Sequence, residues 1–264
     1  MSNVVVFGNQ KGGVGKSTLS VLYAHWLADV HRQCVCVVDL DTQANSSKTL
    51  RRFDSGVTAV ELFSGEPNDG IACGSQQRIA LVAGGKGLAD IELARPEAVI
   101  PAFRKNVASL ARGFDAVVID TPPALGLRMS DGLIAATAVV CPIELEEYSI
   151  DGVTDMLKTI FGVRQRYNSR LQLAGIVLNR FNPHSLRQKA AMQQLVDRYR
   201  EFVIPARIST RSAIPEALAG GLPVWDLPKS SAREASAELK ALFSLLQQRL
   251  DSAGVGASTA GVTA

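Results

Sequence analysis

No run of the 264 residues stays apolar for the roughly 18 positions that a bilayer-spanning helix needs. The chain enters a strand pattern at Val4 with no signal-peptide layout before it. A cytoplasmic protein without a membrane partner is expected. Cysteine is scarce, and Cys34, Cys36, Cys73 and Cys141 show no CxxC spacing. They read as reduced packing thiols, Cys34 and Cys36 on one face of a strand, rather than as a metal site or a disulfide. No internal repeat is present, and nothing ahead of the first strand would hold a separate helix-turn-helix domain. Residues 252–264 carry no charge and no apolar periodicity. They are expected to form a disordered tail behind a helix ending near Leu250. Residues 1–251 are then one domain, since an apolar content of 47% lets a chain of this length bury a single large core.

Charge is lacking overall but not locally. The formal net charge is +3, yet residues 164–251 hold 14 Lys and Arg against 7 Asp and Glu. That stretch is therefore strongly basic and the remainder is net acidic. Two readings stand: solvated helix faces, or a one-sided surface that meets nucleic acid.

Short β-branched runs alternate with longer helical patterns. Val4 to Phe7, Val35 to Leu40, Ile79 to Val82, Ala116 to Ile119, Ala138 to Cys141 and Leu171 to Leu178 read as strands. Most are apolar throughout, as strands covered on both faces must be. The expected fold is α/β, a doubly wound and mostly parallel sheet flanked by helices, with functional loops at the carboxyl ends of strands.

The first strand runs into Gly8-Asn9-Gln10-Lys11-Gly12-Gly13-Val14-Gly15-Lys16-Ser17-Thr18 and then into a helical pattern through Trp26 and Leu27. Strand, glycine loop and helix together make a phosphate cradle. Loop amides turn inward, the helix start adds its positive dipole end, Lys16 supplies a point charge and the Ser17 hydroxyl can ligate Mg²⁺. The second strand ends in Asp39-Leu40-Asp41-Thr42-Gln43, placing two carboxylates on the cradle side. Val117 to Ile119 is an apolar strand ending in Asp120, followed by Thr121-Pro122-Pro123. An acid so placed holds Mg²⁺ through water in P-loop ATPases.

The segment Lys11 to Thr18 departs from the ordinary GxxxxGK[ST] pattern, with Gln10 at the first glycine position and an additional lysine at Lys11. In this it resembles the deviant Walker A motif of the ParA/MinD family of P-loop NTPases. The resemblance covers roughly residues 3–250. It extends to the family's DxDPQ switch I, here with Thr42 for the proline, and to its DTPP switch II. It implies ATP and Mg²⁺ as cofactors, with Lys11, Gly12, Gly13, Val14, Gly15, Lys16, Ser17 and Thr18 on the nucleotide. Ser17, Asp39 and Asp120 would serve the metal, Asp41 would orient the attacking water, and Lys11 would reach across an ATP-dependent homodimer to the partner's phosphates.

Pro142 to Glu146 and Val177 to Arg180 match further family segments. There Asn179 and Pro205 stand either as adenine contacts or as residues of structural turns. Ile208 to Arg211, Glu216-Ala217 and Val224-Trp225 resemble small ParA proteins of plasmid partition systems. The resemblance further implies sequence-independent DNA binding by the dimer, hence association with the nucleoid, and a ParB-like or other cargo-adaptor protein that stimulates hydrolysis. Arg198, Arg200, Arg211, Lys229 and Arg233 are candidate DNA contacts, loosely matched. The cargo is either a plasmid or chromosome centromere complex, or another body such as a carboxysome, chemoreceptor array or cellulose-synthase complex. A MinD-like positioner would need a basic amphipathic C-terminus, and a nitrogenase-reductase-like protein a cysteine just after Asp120. Neither is present. A metabolite-directed P-loop enzyme is the remaining alternative, disfavoured by the Lys11 signature.

Overall fold

The computed structural model describes residues 2–65, 70–74, 77–146 and 149–259. Strands and helices alternate: β1 (Asn3–Phe7), α1 (Lys16–Val30), β2 (Val35–Asp39), α2 (Asn45–Leu50), β3 (Asp54–Thr58), β4 (Ile79–Ala83), α3 (Pro96–Gly113) and β5 (Ala116–Asp120) come first. They are followed by α4 (Leu127–Ala135), β6 (Ala138–Glu144), α5 (Ser149–Arg166), β7 (Gln172–Phe181), α6 (Leu186–Tyr199), β8 (Val203–Ser209), α7 (Ala213–Ala219) and α8 (Ser230–Thr259). All six expected strands are present. The last helix reaches Thr259 rather than ending near Leu250.

The strands form one eight-stranded sheet in the order β3-β4-β2-β5-β1-β6-β7-β8, parallel at every pairing. The expected doubly wound α/β architecture is therefore the observed one. Alternate residues of one strand serve opposite faces. Val4 and Val6 of β1 pack with Phe103, Met129 and Ile160, whereas Val5 and Phe7 pack with Leu22, Trp26 and Phe243. Every residue of β2 and β5 is buried, which explains why those strands read as unbroken apolar runs. Because all strands are parallel, the carboxyl ends of β1, β2 and β5 lie side by side. In register, Phe7 pairs with Asp120 and Asp39 with Asp120.

The cysteine expectation needs correction. Cys36 and Cys141 are buried thiols, but Cys34 and Cys73 are joined in a disulfide with a Cα–Cα distance of 6.1 Å. Their separation of 39 residues hides the proximity. β4 returns beside β2 with Ile79 paired to Val35, so the segment leading into β4 passes the start of β2. No helix among the described residues is long and apolar enough to cross a membrane.

Candidate functional site

The loop from β1 to α1 is shaped by two left-handed glycines, Gly13 at φ +77° and Gly15 at φ +93°. Gly15 is required twice over, since a Cβ there would meet the Asn179 amide nitrogen at 2.1 Å. No side chain caps the start of the 15-residue α1, so its first amides face the loop. Asn9 holds the loop's base: its Nδ2 donates to the Pro142 carbonyl at 2.8 Å and its Oδ1 accepts from the Lys11 amide at 2.9 Å.

The two lysines of the loop differ sharply. Lys16 is buried, its Nζ donating to the Lys11 carbonyl at 2.9 Å. Burial lowers its pKa from the ordinary lysine value, and the nearby charges of Asp120 and Asp41 work against that shift. Lys11 lies at the loop's mouth, its side chain 44% exposed, and its ammonium pairs with Glu146 of the same chain. The trans-acting position expected for Lys11 thus requires the side chain to leave Glu146. A solvent-exposed pair of this kind is a weak restraint.

Asp39, Asp41 and Asp120 converge below the loop, all three buried. Two hydroxyls that sequence reading missed hold the outer pair. Ser46 Oγ donates to Asp120 Oδ2 at 2.7 Å, and Ser47 donates to Asp39 Oδ2 from both Oγ at 2.7 Å and its amide at 2.9 Å. Asp39 Oδ1 accepts from the Asp41 amide at 3.0 Å, and Asp41 Oδ1 accepts from the Gln43 amide at 3.0 Å. Gly84 closes the back of the group. Its amide donates to Ser47 Oγ at 2.9 Å, and a Cβ would stand 2.7 Å from the Asp39 carbonyl and 2.9 Å from that of Asp41. Thr121 Oγ1 donates to the Phe7 carbonyl at 2.8 Å, tying the end of β5 to the end of β1. Pro123 stands beside Gly12, so the segment after Asp120 touches the phosphate loop.

Asp120 bonds with Ser17 as well as Ser46, yet its Oδ1 is buried without a hydrogen-bond partner among the described residues. That orphaned oxygen fits a hydrated cation. Among the described residues no group of three or more His, Cys, Asp or Glu is arranged to hold a metal alone. A divalent cation here would draw on Ser17, Asp120 and a nucleotide's own phosphates, the usual economy of Mg²⁺ sites. Asp39 lies farther back, its oxygens taken by Ser47 and the Asp41 amide.

Burial, then repulsion from Asp39, pushes Asp120 up to about 7, and burial also raises Asp39. Burial followed by Glu92 raises Asp131 to about 7 as well. A carboxyl whose folded pKa exceeds its unfolded value keeps a proton the unfolded chain has released. Its contribution to stability is thus lost as pH rises from about 4 through about 7. His25, pushed down to about 4 by burial and then by Arg52, opposes this on the acid side of 6.5. Without nucleotide, the urea midpoint should be higher at pH 6 than at pH 8. Asp120→Asn should remove about 1 kcal/mol of that difference. A midpoint that is flat with pH, or an Asp120→Asn variant with wild-type dependence, would show that the carboxyls titrate normally.

Asn179 and Pro205 part company. Asn179 is buried against the loop, its Nδ2 donating to the Val14 carbonyl at 2.8 Å. It also lines a pocket of about 480 Å³ with Thr18, Arg180, Ser209 and Pro215. Pro205 is exposed on edge strand β8 and is not among the residues lining that pocket. The proline at the pocket is Pro215.

The five basic candidates do not form one patch. Arg198 and Arg200 precede β8, whereas Arg211 follows it and lies by the phosphate loop's end of the sheet. The seven residues of β8 separate the two groups by about 23 Å. Arg211 is engaged by Glu234 and, at 2.7 Å, by Glu238, and it lines the Asn179 pocket. Lys229 pairs with Glu216, and Arg233 is exposed near the start of α8. Arg211 is therefore held by two carboxylates in this state, whereas the exposed pair of Lys229 is a weak restraint like that of Lys11.

Comparison with known proteins agrees with this geometry. The family model described as an AAA domain matches residues 2–173. Protein IncC of Escherichia coli is 39% identical over 248 residues, covering 90% of this chain and 67% of its own. The chain spans about two thirds of the length of the IncC proteins that it matches. The chromosome-partitioning ATPase Soj of Thermus thermophilus is 34% identical over 216 residues, with 81% and 83% of the two chains covered. Among solved structures, apo McdA of Cyanothece superposes with a TM-score of 0.81 at 19% identity over 95% of this chain and 100% of its own, a likeness of fold. The cobyrinic acid a,c-diamide synthase of Mycobacterium smegmatis with bound ADP and magnesium reaches 0.73 at 26% identity, with 96% of each chain covered. With its two-lysine phosphate loop and its paired switch carboxylates, the chain belongs to the ParA/MinD-type family of partition ATPases.

Proposed function

We propose that this protein is a nucleotide-switched partition ATPase whose ATP-bound form is a homodimer that holds duplex DNA without reading its sequence. The observation that carries the reading is the contrast between two lysines of one loop, Lys16 buried beside Asp120 and Asp41, and Lys11 exposed at the mouth. A buried lysine serves the nucleotide of its own subunit. A second lysine on the surface serves a phosphate that arrives with another subunit.

In this reading Lys16 and the open start of α1 take the phosphates of ATP, while Ser17 and Asp120 hold Mg²⁺ with Asp39 behind them. The base enters the pocket at Asn179. ATP with Mg²⁺ supplies the phosphoanhydride that water cleaves. Lys11 leaves Glu146, crosses to the partner's phosphates and stabilises charge on the transferring group. Asp41 places the water. DNA is held through phosphate contacts, which give affinity but little base information. Arg198, Arg200, Arg211, Lys229 and Arg233 remain the C-terminal candidates, and Arg211 and Lys229 must first give up their carboxylates. A cargo-bound adaptor of ParB type accelerates hydrolysis, and the cytoplasmic protein is then released from the nucleoid. The name of the Soj relative, a chromosome-partitioning ATPase, favours a plasmid or chromosome centromere complex as cargo over other bodies.

The test is light scattering and DNA retention with the wild-type chain. ATP with Mg²⁺ should double the mass and retain the protein on unrelated duplexes, and ADP should do neither. Full turnover by a protein that stays monomeric with ATP would favour a metabolite-directed enzyme instead.

A further inference from the structure

We infer that the cleft between α2 and the end of α7 is a contact site for the phosphate backbone of duplex DNA, carried on α2 and the 3-10 turn after it, next to the serines that bond with Asp39 and Asp120. The inference rests on the DNA-binding reading above and locates part of that surface in the N-terminal half, outside the basic C-terminal stretch.

The cleft has a volume of about 530 Å³. Lys48, Arg51 and Arg52 line one wall, and residues 218–221 form the other. Thr42 to Phe53 holds these three cations and no acid. Lys48 and Arg51 make no ion pair among the described residues, and the Arg52 guanidinium lies over the Phe53 ring at 4.6 Å, within electrostatic reach of Asp226 in the neighbouring cleft. Like charges three and four positions apart repel one another. Such a trio is tolerated by exposure to water and relieved by a polyanion. The two walls meet closely at one point. Gly221, at φ +66°, lets the end of α7 approach the Thr49 carbonyl, which a Cβ would meet at 3.0 Å.

The other side of α2 faces the nucleotide site. Ser46 bonds with Asp120 and Ser47 with Asp39. At 3.6 residues per turn, Lys48 points about 150° away from the mean direction of the serine pair around α2, and Arg51 and Arg52 follow in the 3-10 turn Arg51–Phe53. A cation arriving at Asp120 competes for the oxygen that Ser46 occupies or for its unpartnered neighbour.

Two guanidiniums beside an ammonium suit phosphodiesters, which accept forked hydrogen bonds and ask only for charge. An acidic protein segment would need buried apolar anchors as well. Leu218 is the single large apolar residue lining this cleft.

The experiment measures fluorescence anisotropy of an unrelated duplex with the full chain, Mg²⁺ and a non-hydrolysable ATP analogue across a salt series. Lys48→Ala with Arg51→Ala should weaken binding to every duplex at least about tenfold and lower the slope of log K against log salt by about 1.8 per protomer, 0.9 for each lost phosphate. Lys48→Arg with Arg51→Lys should keep the wild-type slope. Nucleotide affinity, measured without DNA, should be the same in all three. If the wild type binds DNA and the alanine pair shows an unchanged slope, as a docking surface for an acidic protein would, the cleft is not a DNA contact. If the wild type itself fails to bind DNA with the analogue, the DNA-binding reading of the protein falls, and the site falls with it.

Discussion

Lys16→Ala should weaken ADP and ATP binding on the order of a hundredfold or more, whereas Lys11→Ala should bind ADP as the wild type does and fail only in what needs a second subunit. Lys16 is buried, close to Asp120 and Asp41, and its Nζ already bonds with a loop carbonyl. A charged donor so placed contributes roughly 1.5–3 kcal/mol to a phosphate contact, and its loss leaves two carboxylates facing the phosphates. Lys11 has no such neighbours. Its ammonium meets Glu146 at the surface, so truncation leaves the phosphate cradle's interior as it was. Dimerisation with ATP should disappear, and turnover should fall by about a thousandfold, the scale of a lost trans-acting cation in phosphoryl transfer. Calorimetric ADP titration and light scattering with ATP separate the two failures. A Lys11→Ala protein that still dimerises and hydrolyses ATP normally would remove the trans role. ADP affinity reduced as severely as in Lys16→Ala would place Lys11 inside its own subunit's site.

The parts of this molecule that were legible in the sequence are local ones. A strand covered on both faces must be apolar at every position, and β2 and β5 announce themselves in that way. The phosphate loop and the acids at the ends of β2 and β5 each occupy one contiguous strand-to-loop junction. What escaped depends on neighbours distant in sequence. β3 and β8 lie at the sheet's two edges, where one flank is open and weaker strand formers are admitted. Asp54 and Gly56 stand in β3 and Pro205 in β8, where an open flank tolerates such residues. Gly84 is an ordinary glycine until β4 lies beside β2 and brings the Asp39 and Asp41 carbonyls within reach of its missing side chain. The same return of the chain joins Cys34 to Cys73, a pairing no spacing rule suggests. Charge counted over long segments says least about individual residues. It does not show that Arg211 and Lys229 of the basic C-terminal stretch each meet a carboxylate, and it averages away Lys48, Arg51 and Arg52 inside a net acidic region.

Asp41→Ala should bind ATP and dimerise, yet hydrolyse it at least about a hundredfold more slowly, and so remain on DNA after the wild type has left. The carboxylate is buried at the loop's inner edge, and one of its oxygens is occupied by the Gln43 amide. Its own amide is spent on Asp39 Oδ1, so the residue cannot swing away without breaking the turn. In the proposed mechanism Oδ2 is then the atom left to meet the attacking water. Positioning of this kind is worth factors of a hundred or more, because a small misplacement of the reacting atom forfeits the near-attack geometry. ATP itself should be held as before, since Lys16, Ser17 and the start of α1 are untouched. Loss of the Asp41 charge beside Lys16 even favours the phosphates slightly by leaving the ammonium less compensated. The variant is then an ATP-locked dimer. Single-turnover hydrolysis gives the rate, and a chase with excess ADP on immobilised duplex gives the residence time. Slow hydrolysis together with prompt release from DNA would break the link between the two steps. Wild-type hydrolysis by Asp41→Ala would move the water-positioning role to another group.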